Sequence, residues 1–170
     1  LTLPPPTMSH KIPSQNAVSQ GNGSAGWLRL MIPAICALAL YCIPLPQDRV
    51  LSIHESVLPQ TAQLMADNGD WLIPRRDAVA PWIENPPLPQ WLTVAMCTIA
   101  GTCSQAWVSR LTAGISGTLA VLLVTLMAAR LFGTGIGMLS GLTMATSYEV
   151  VRYATLAEDE IFLTLTSAAA

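Results

Sequence analysis

Long apolar stretches without a charged residue alternate with short polar stretches along most of this chain. No Asp, Glu, Lys or Arg falls within four stretches: 30–47, 85–109, 111–129 and 131–148. A helix needs about 20 apolar residues to cross a hydrocarbon core about 30 Å thick, and several of the uncharged stretches approach that length. Apolar helices of soluble proteins are usually shorter and keep a polar face. The pattern therefore predicts an all-α, polytopic membrane protein.

Prolines, glycines and isolated charges set the boundaries of the predicted helices. We expect transmembrane helices at 27–47, 107–132 and 134–155, and the start of a further transmembrane helix at 161–170. Residues 88–106 differ, because their firmly apolar part is only about ten residues long, half of what a span requires. We expect a short or re-entrant helix there.

Three polar segments separate or precede these helices. Residues 1–26 are rich in Pro, Ser, Gly, Asn and Gln, a composition typical of a disordered tail. Residues 48–87 carry six acids against three bases. We expect this segment to be an extracytoplasmic loop, since cytoplasmic loops carry the excess of Lys and Arg. Residues 156–160 form an acidic loop.

The loop at 48–87 contains a pattern typical of a short helix that skims the membrane. Leu58, Ala62 and Met65 recur at i, i+4 and i+7, which places them on one helical face. Asn68 and Gly69 follow, and such a pair ends a helix.

Two groups of acids are the candidates for chemistry. Glu55 follows His54 in the first loop, and Glu158, Asp159 and Glu160 stand together between two apolar segments. Adjacent carboxylates near a low dielectric repel one another unless a base or a cation offsets them. Both groups face one compartment if 88–106 does not cross the bilayer, and the bilayer separates them if it does. Ordinary solvated surface charges are the alternative interpretation of both groups.

Composition excludes some classes of function. The chain is 52% hydrophobic and 11% charged, with a net charge of −2 and no basic tract, so we expect no nucleic-acid partner. Four cysteines form two C-x5-C pairs in or beside apolar segments. This spacing fits no zinc pattern, and we expect free buried thiols rather than disulfides.

Four stretches, taken in order, carry a resemblance to a known superfamily. They are "HESVLPQTAQLMADNGDWLIP", "ENPPLPQWL", "VSRLTAGISGTLAVLLVTLMAARLFG" and "VRYATLAEDEIFL". They resemble the membrane glycosyltransferases of the dolichyl-phosphate-mannose-protein mannosyltransferase and 4-amino-4-deoxy-L-arabinose transferase superfamily. The resemblance covers about residues 27–170. It implies the N-terminal part of a GT-C helical bundle, whose first extracytoplasmic loop carries short interfacial helices.

The resemblance also implies an activity and a set of site residues. Such enzymes transfer a sugar from a polyprenyl-phosphate donor to a protein or lipid acceptor at the extracytoplasmic face. The resemblance places the catalytic acid of the first loop at Glu55, and that of the second loop at Glu158 or Asp159. The family's phosphate-binding Lys corresponds to Asn85, which brings no charge. We therefore expect phosphate contacts from a wider set of residues, which is Asn85, Arg75, Arg76 and Arg152.

Cofactor and location follow from the same resemblance. Some relatives use a divalent cation, and a hard cation would suit the carboxylates of Glu158 or Asp159. We expect membrane lipid, the lipid-linked donor and the acceptor as partners, and a multi-pass location in a bacterial inner membrane.

Two alternatives to the enzyme stay open. One is a non-catalytic relative or membrane interaction module, which Asn85 and His54 favour. The other is a transporter or channel subunit, which would need polar residues along a helix face. The chain starts with Leu and ends within an apolar run, so we also expect an N-terminal fragment that is inactive by itself.

Overall fold

The computed structural model describes residues 23–43, 51–76, 81, 86–103 and 105–170. In this part of the chain there are seven helices and no strand, with one isolated antiparallel bridge between Arg75 and Pro81. The helices are α1 (Gly23–Cys42), α2 (Ile53–Asn68), α3 (Leu88–Ala100), α4 (Ala106–Phe132), α5 (Thr134–Thr146), α6 (Tyr148–Thr155) and α7 (Glu160–Ala169). The predicted all-α fold is confirmed. The predicted disordered tail lies outside the described residues as far as residue 22, and the prediction is wrong for residues 23–26, which are helical because they form the first turn of α1.

The central helix of the bundle is α4, which contacts α1, α5, α6 and α7. It is 27 residues long, and among the described helices it alone is long and apolar enough to cross a membrane. The predicted span at 107–132 agrees with its bounds to within one residue. Gly133 follows with a φ of 94°, a conformation that glycine adopts without steric cost, and the chain reverses there into α5.

Packing contacts show how α1 and α5 run beside α4. Pro33 of α1 lies close to Gly141 of α5, and Tyr41 lies close to Gly117 of α4. The Tyr41 hydroxyl donates a hydrogen bond of 3.1 Å to the Ala145 carbonyl oxygen. The C-terminal ends of α1 and α5 therefore meet the N-terminal half of α4, and we call this region the α4 N-terminal end of the bundle.

Two glycines let α5 approach its neighbours closely. A Cβ at Gly137 would lie 2.6 Å from the Ala129 Cβ, and a Cβ at Gly141 would collide with the Thr125 hydroxyl and lie 2.8 Å from the Pro33 Cβ. Membrane helices use small residues in this way, because close packing replaces the hydrophobic driving force that lipid removes.

The predicted helix at 134–155 is divided into α5 and α6 by Ser147. Its backbone is extended, with φ −62° and ψ 130°, so the helical hydrogen-bond ladder stops there. The eight residues of α6 expose Glu149 and Arg152 and bury Ala154. The buried Ala154 packs against Gly117 of α4, so α6 stays part of the bundle while Glu149 and Arg152 are exposed.

In the first loop, α2 begins and ends where local chemistry requires. Ser52 and Glu55 form a capping box at its N-terminus, and Gly69 ends it in the left-handed conformation with a φ of 68°. The predicted face is confirmed, since Leu58, Ala62 and Met65 are all buried.

A disulfide bond between Cys97 and Cys103 closes the turn from α3 to α4, with a Cα–Cα distance of 4.8 Å. The expectation of free thiols is wrong for this pair, whereas Cys36 and Cys42 are free. Gly101 explains the difference, because its left-handed conformation (φ 74°) ends α3 and turns the chain back. The spacing of the two cysteines does not reveal that reversal. At 13 residues, α3 is about 20 Å long, and its failure to cross the bilayer stays a prediction.

The close approach of α5 gives a first prediction. We expect Gly141→Leu to destabilise the full-length protein by about 1–3 kcal/mol, the usual cost of overpacking. The leucine side chain would collide with Thr125 and Pro33. Gly135→Leu is the matched control, since no atom lies within 4 Å of a Cβ there. Thermal melting of the two purified variants in detergent measures the effect, and equal melting temperatures would contradict the packing.

The disulfide gives a second prediction. Maleimide–polyethylene glycol added to the denatured, unreduced protein should label two of its four cysteines, and all four after reduction. Cys97→Ser should release Cys103 and raise the unreduced number to three. Labelling of all four cysteines without a reductant would show that the bond does not form.

Candidate active site

A buried ion pair joins the first loop to the central helix. Glu55 lies in the first turn of α2 and Arg110 in the second turn of α4. The Arg110 Nε donates a hydrogen bond of 3.2 Å to the Glu55 Oε1, and the two side chains are only 4% and 1% exposed. The pair holds the N-terminus of α2 against the α4 N-terminal end of the bundle.

The capping box occupies the other oxygen of the same carboxylate. The Ser52 backbone N–H donates to the Glu55 Oε2 at 3.0 Å, and the Glu55 backbone N–H donates to the Ser52 hydroxyl oxygen at 3.3 Å. Burial by itself would raise the pKa of Glu55, but the hydrogen bond from Ser52 and the hydrogen bond and charge of Arg110 outweigh burial and lower it. Glu55 is therefore a charged, fully engaged carboxylate at neutral pH.

Glu158, in the turn between α6 and α7, has the opposite electrostatic environment. Burial raises its pKa, and the charge of Glu160 raises it further, while Arg152 lowers it. The charge of Glu55 also raises this pKa, and the charge of His54 lowers it. Charges act over such a range only when the groups are close, so the structure brings Glu158 into the neighbourhood of His54 and Glu55.

Helix packing explains why the acidic turn reaches this place. Ala154 near the end of α6 and Ile161 at the start of α7 both lie against Gly117 of α4. Asp159 also lines a narrow cavity with Pro86 and other residues at the N-terminal end of α3. The two predicted groups of acids are thus within electrostatic range of each other, and Asp159 lies beside the beginning of α3.

The predicted phosphate-binding residues are dispersed. Arg75 pairs with Asp70 at 3.2 Å, with both side chains about one-third exposed. Arg76 lines a groove beside α2. Arg152 lies 3.9 Å from Glu149 and is half exposed, and of these arginines it is the one whose charge lowers the pKa of Glu158.

Two expectations about the site are not tested by the structure. Asn85 lies outside the described residues. In the described part of the chain, no group of three or more His, Cys, Asp and Glu side chains is arranged to hold a metal ion. Glu158 and Asp159 therefore belong to no such group there, and the divalent cation stays an untested expectation.

Sequence reasoning missed Arg110 as a site residue, although a signal was present. Arg110 is the single charge between the uncharged stretches 85–109 and 111–129. A lone charge beside an apolar segment requires a partner. The S-x-x-E spacing of Ser52 and Glu55 is likewise the signature of a capping box.

Comparison with known proteins places this arrangement in a family. The family model described as dolichyl-phosphate-mannose-protein mannosyltransferase matches residues 84–170, about half of the chain. The matched region includes Arg110 and Glu158, but it begins after Glu55 and so does not include it. The chain matches no curated protein and no solved structure. Members of the family are integral membrane glycosyltransferases that use a polyprenyl-phosphate sugar donor. The chain belongs to the dolichyl-phosphate-mannose-protein mannosyltransferase family.

Proposed function

We propose that this chain forms part of a glycosyltransferase that moves a sugar from a polyprenyl-phosphate donor to a protein or lipid acceptor at the extracytoplasmic face. The single observation that carries the proposal is the buried Glu55–Arg110 pair at the α4 N-terminal end, which has the exposed His54 beside it and Glu158 within electrostatic range. Family membership supports the reaction class.

The location of these groups suits a lipid-linked donor. The donor's polyprenyl tail stays in the bilayer, so its sugar phosphate lies at the interface, where a spanning helix ends. The charged groups lie at one end of α4, the helix that is long and apolar enough to span. A site at this interface admits a polar acceptor from the aqueous side while the tail stays in lipid.

Stabilisation of the leaving phosphate requires positive charge. We assign this role to Arg152, whose half-exposed guanidinium lies close enough to act on Glu158. Arg110 has a different role, since its guanidinium is buried against Glu55. Arg110 and Glu55 are positioning residues in this scheme, because they hold the first turn of α2 rather than contact the substrate.

A second candidate function is a non-catalytic relative that acts as a membrane interaction module. The observation that favours it is Asn85, an uncharged residue at the position of the family's phosphate-binding Lys. The two functions differ in a single respect, which is whether the full-length protein transfers sugar. An assay of transfer separates them.

The proposal predicts the effect of breaking the ion pair. Membranes that contain the full-length protein should transfer tritiated mannose from undecaprenyl-phosphate mannose to protein or lipid. Glu55→Gln and Arg110→Met should each reduce this transfer on the order of 100-fold, since an unpaired buried charge costs about 3–5 kcal/mol. Membrane insertion should not change.

The control and the double variant sharpen the same experiment. Arg130→Met removes an exposed arginine from the other end of α4 and should keep full transfer. The double variant Glu55→Gln, Arg110→Met should lose no more than either single variant, because the two residues act as one unit. Additive losses would contradict the shared role, and wild-type membranes without transfer would favour the interaction module.

A further inference from the structure

The proposed reaction needs a group that accepts the proton of the acceptor hydroxyl, and Glu55 is poorly placed to do so. Both of its oxygens accept hydrogen bonds, from Arg110 and from Ser52, and the residue is 1% exposed. A substrate hydroxyl cannot reach a carboxylate that is buried and already engaged on both oxygens. Another group at the α4 N-terminal end must take the proton.

We propose that His54 is the catalytic residue that accepts this proton, an inference that rests on the proposed glycosyltransferase function. His54 lies in the first turn of α2, directly before Glu55, and its side chain is exposed. The capping box and the ion pair fix that turn through Glu55. The side chain of His54 is therefore accessible to a substrate, and its backbone lies in a helical turn that the capping box and the ion pair hold in place.

The chemistry of imidazole suits the task. A general base works best when it exchanges its proton close to the operating pH, and an unperturbed imidazole does so at about 6.5. The carboxylate of Glu55, with its lowered pKa, holds a proton too weakly to be an effective base. His54 is the one histidine in the described part of the chain.

Glu158 is suited to support the charge that forms on His54. The two residues lie close enough for their charges to interact, so the imidazolium gains a negative neighbour. The other charged groups around them come from each adjacent element, and they are Glu55 of α2, Arg110 of α4, Arg152 of α6, and Asp159 and Glu160 at the start of α7. Glu55 and Arg110 offset each other, and Glu158 is a partly exposed carboxyl whose charge interacts with that of His54.

The acceptor oxygen forms a bond to the anomeric carbon of the donor sugar, while the bond from that carbon to the phosphate oxygen breaks. The phosphate leaves with the electron pair as polyprenyl monophosphate. The hydroxyl proton moves to the unprotonated ring nitrogen of His54, and water takes it up after the products leave.

The rate of transfer as a function of pH tests the role of His54. The probe is undecaprenyl-phosphate mannose, used with membranes that contain the full-length protein. Wild type should lose activity as the pH falls through the range in which imidazole is protonated. His54→Asn should reduce kcat by about 100- to 10,000-fold, the usual contribution of a general base, and should abolish this acid limb.

Two further variants separate catalysis from structure. His54→Asp supplies a carboxylate base and should recover part of the activity, with the acid limb moved to lower pH. His10→Asn, which removes the other histidine of the sequence, should leave the profile unchanged.

The outcomes distinguish this inference from the function on which it rests. Wild-type membranes that transfer no mannose overturn the proposed function and the inference together. Wild-type transfer with an unchanged acid limb in His54→Asn overturns the inference alone. A His54→Asn variant that loses activity and also melts at a lower temperature than wild type, without recovery in His54→Asp, shows a structural role and overturns it as well.

Discussion

The arrangement of the α4 N-terminal end of the bundle depends on one buried ion pair. Glu55 and Arg110 lie 55 positions apart in the chain and meet at 3.2 Å with almost no exposure to solvent. Removal of either partner by mutation would leave the other charge buried and unpaired, at a cost of about 3–5 kcal/mol, so the two residues act as one unit between the beginning of α2 and the beginning of α4. A first loop with much polar sequence is thereby attached to the end of the central helix.

Because the first loop is attached there, His54, Glu55 and Glu158 belong to one end of the bundle. The capping box fixes Glu55 and so the first turn of α2, which carries the exposed His54. The close fit of Ala154 and Ile161 against Gly117 brings the turn with Glu158 to the same end of α4. An acid whose pKa is raised and an exposed histidine then lie within electrostatic range of a carboxylate whose pKa is lowered. Such divergent environments are how one fold assigns different proton chemistry to neighbouring groups.

Features with a local cause were predictable from the sequence. The bounds of α4 follow from an uncharged run between Arg110 and Arg130, and the buried face of α2 follows from helical spacing ended by Asn68 and Gly69. The family resemblance likewise agrees with the match over 84–170.

Features without a recognisable local signal in the sequence were not predictable. The Cys97–Cys103 bond depends on a left-handed turn at Gly101, and the division of α5 from α6 depends on one extended residue, Ser147. The partner of Arg110 is not visible in any local pattern, because only the folded bundle brings position 55 to position 110. The roles of Glu55, Glu158 and Asp159, and the path of α3 relative to the bilayer, stay predictions.

The central claim is that the first loop and the acidic turn face one aqueous compartment, and labelling of single cysteines tests it most directly. Single cysteines would replace Ile53 and Glu160, which are exposed beside the site, and Gly135 near the other end of α4, with Cys36 and Cys42 changed to Ser. A membrane-impermeant maleimide added to intact spheroplasts should label positions 53 and 160 alike. It should label position 135 only after the membrane is permeabilised. Labelling of positions 53 and 160 from opposite sides of the membrane would contradict the account.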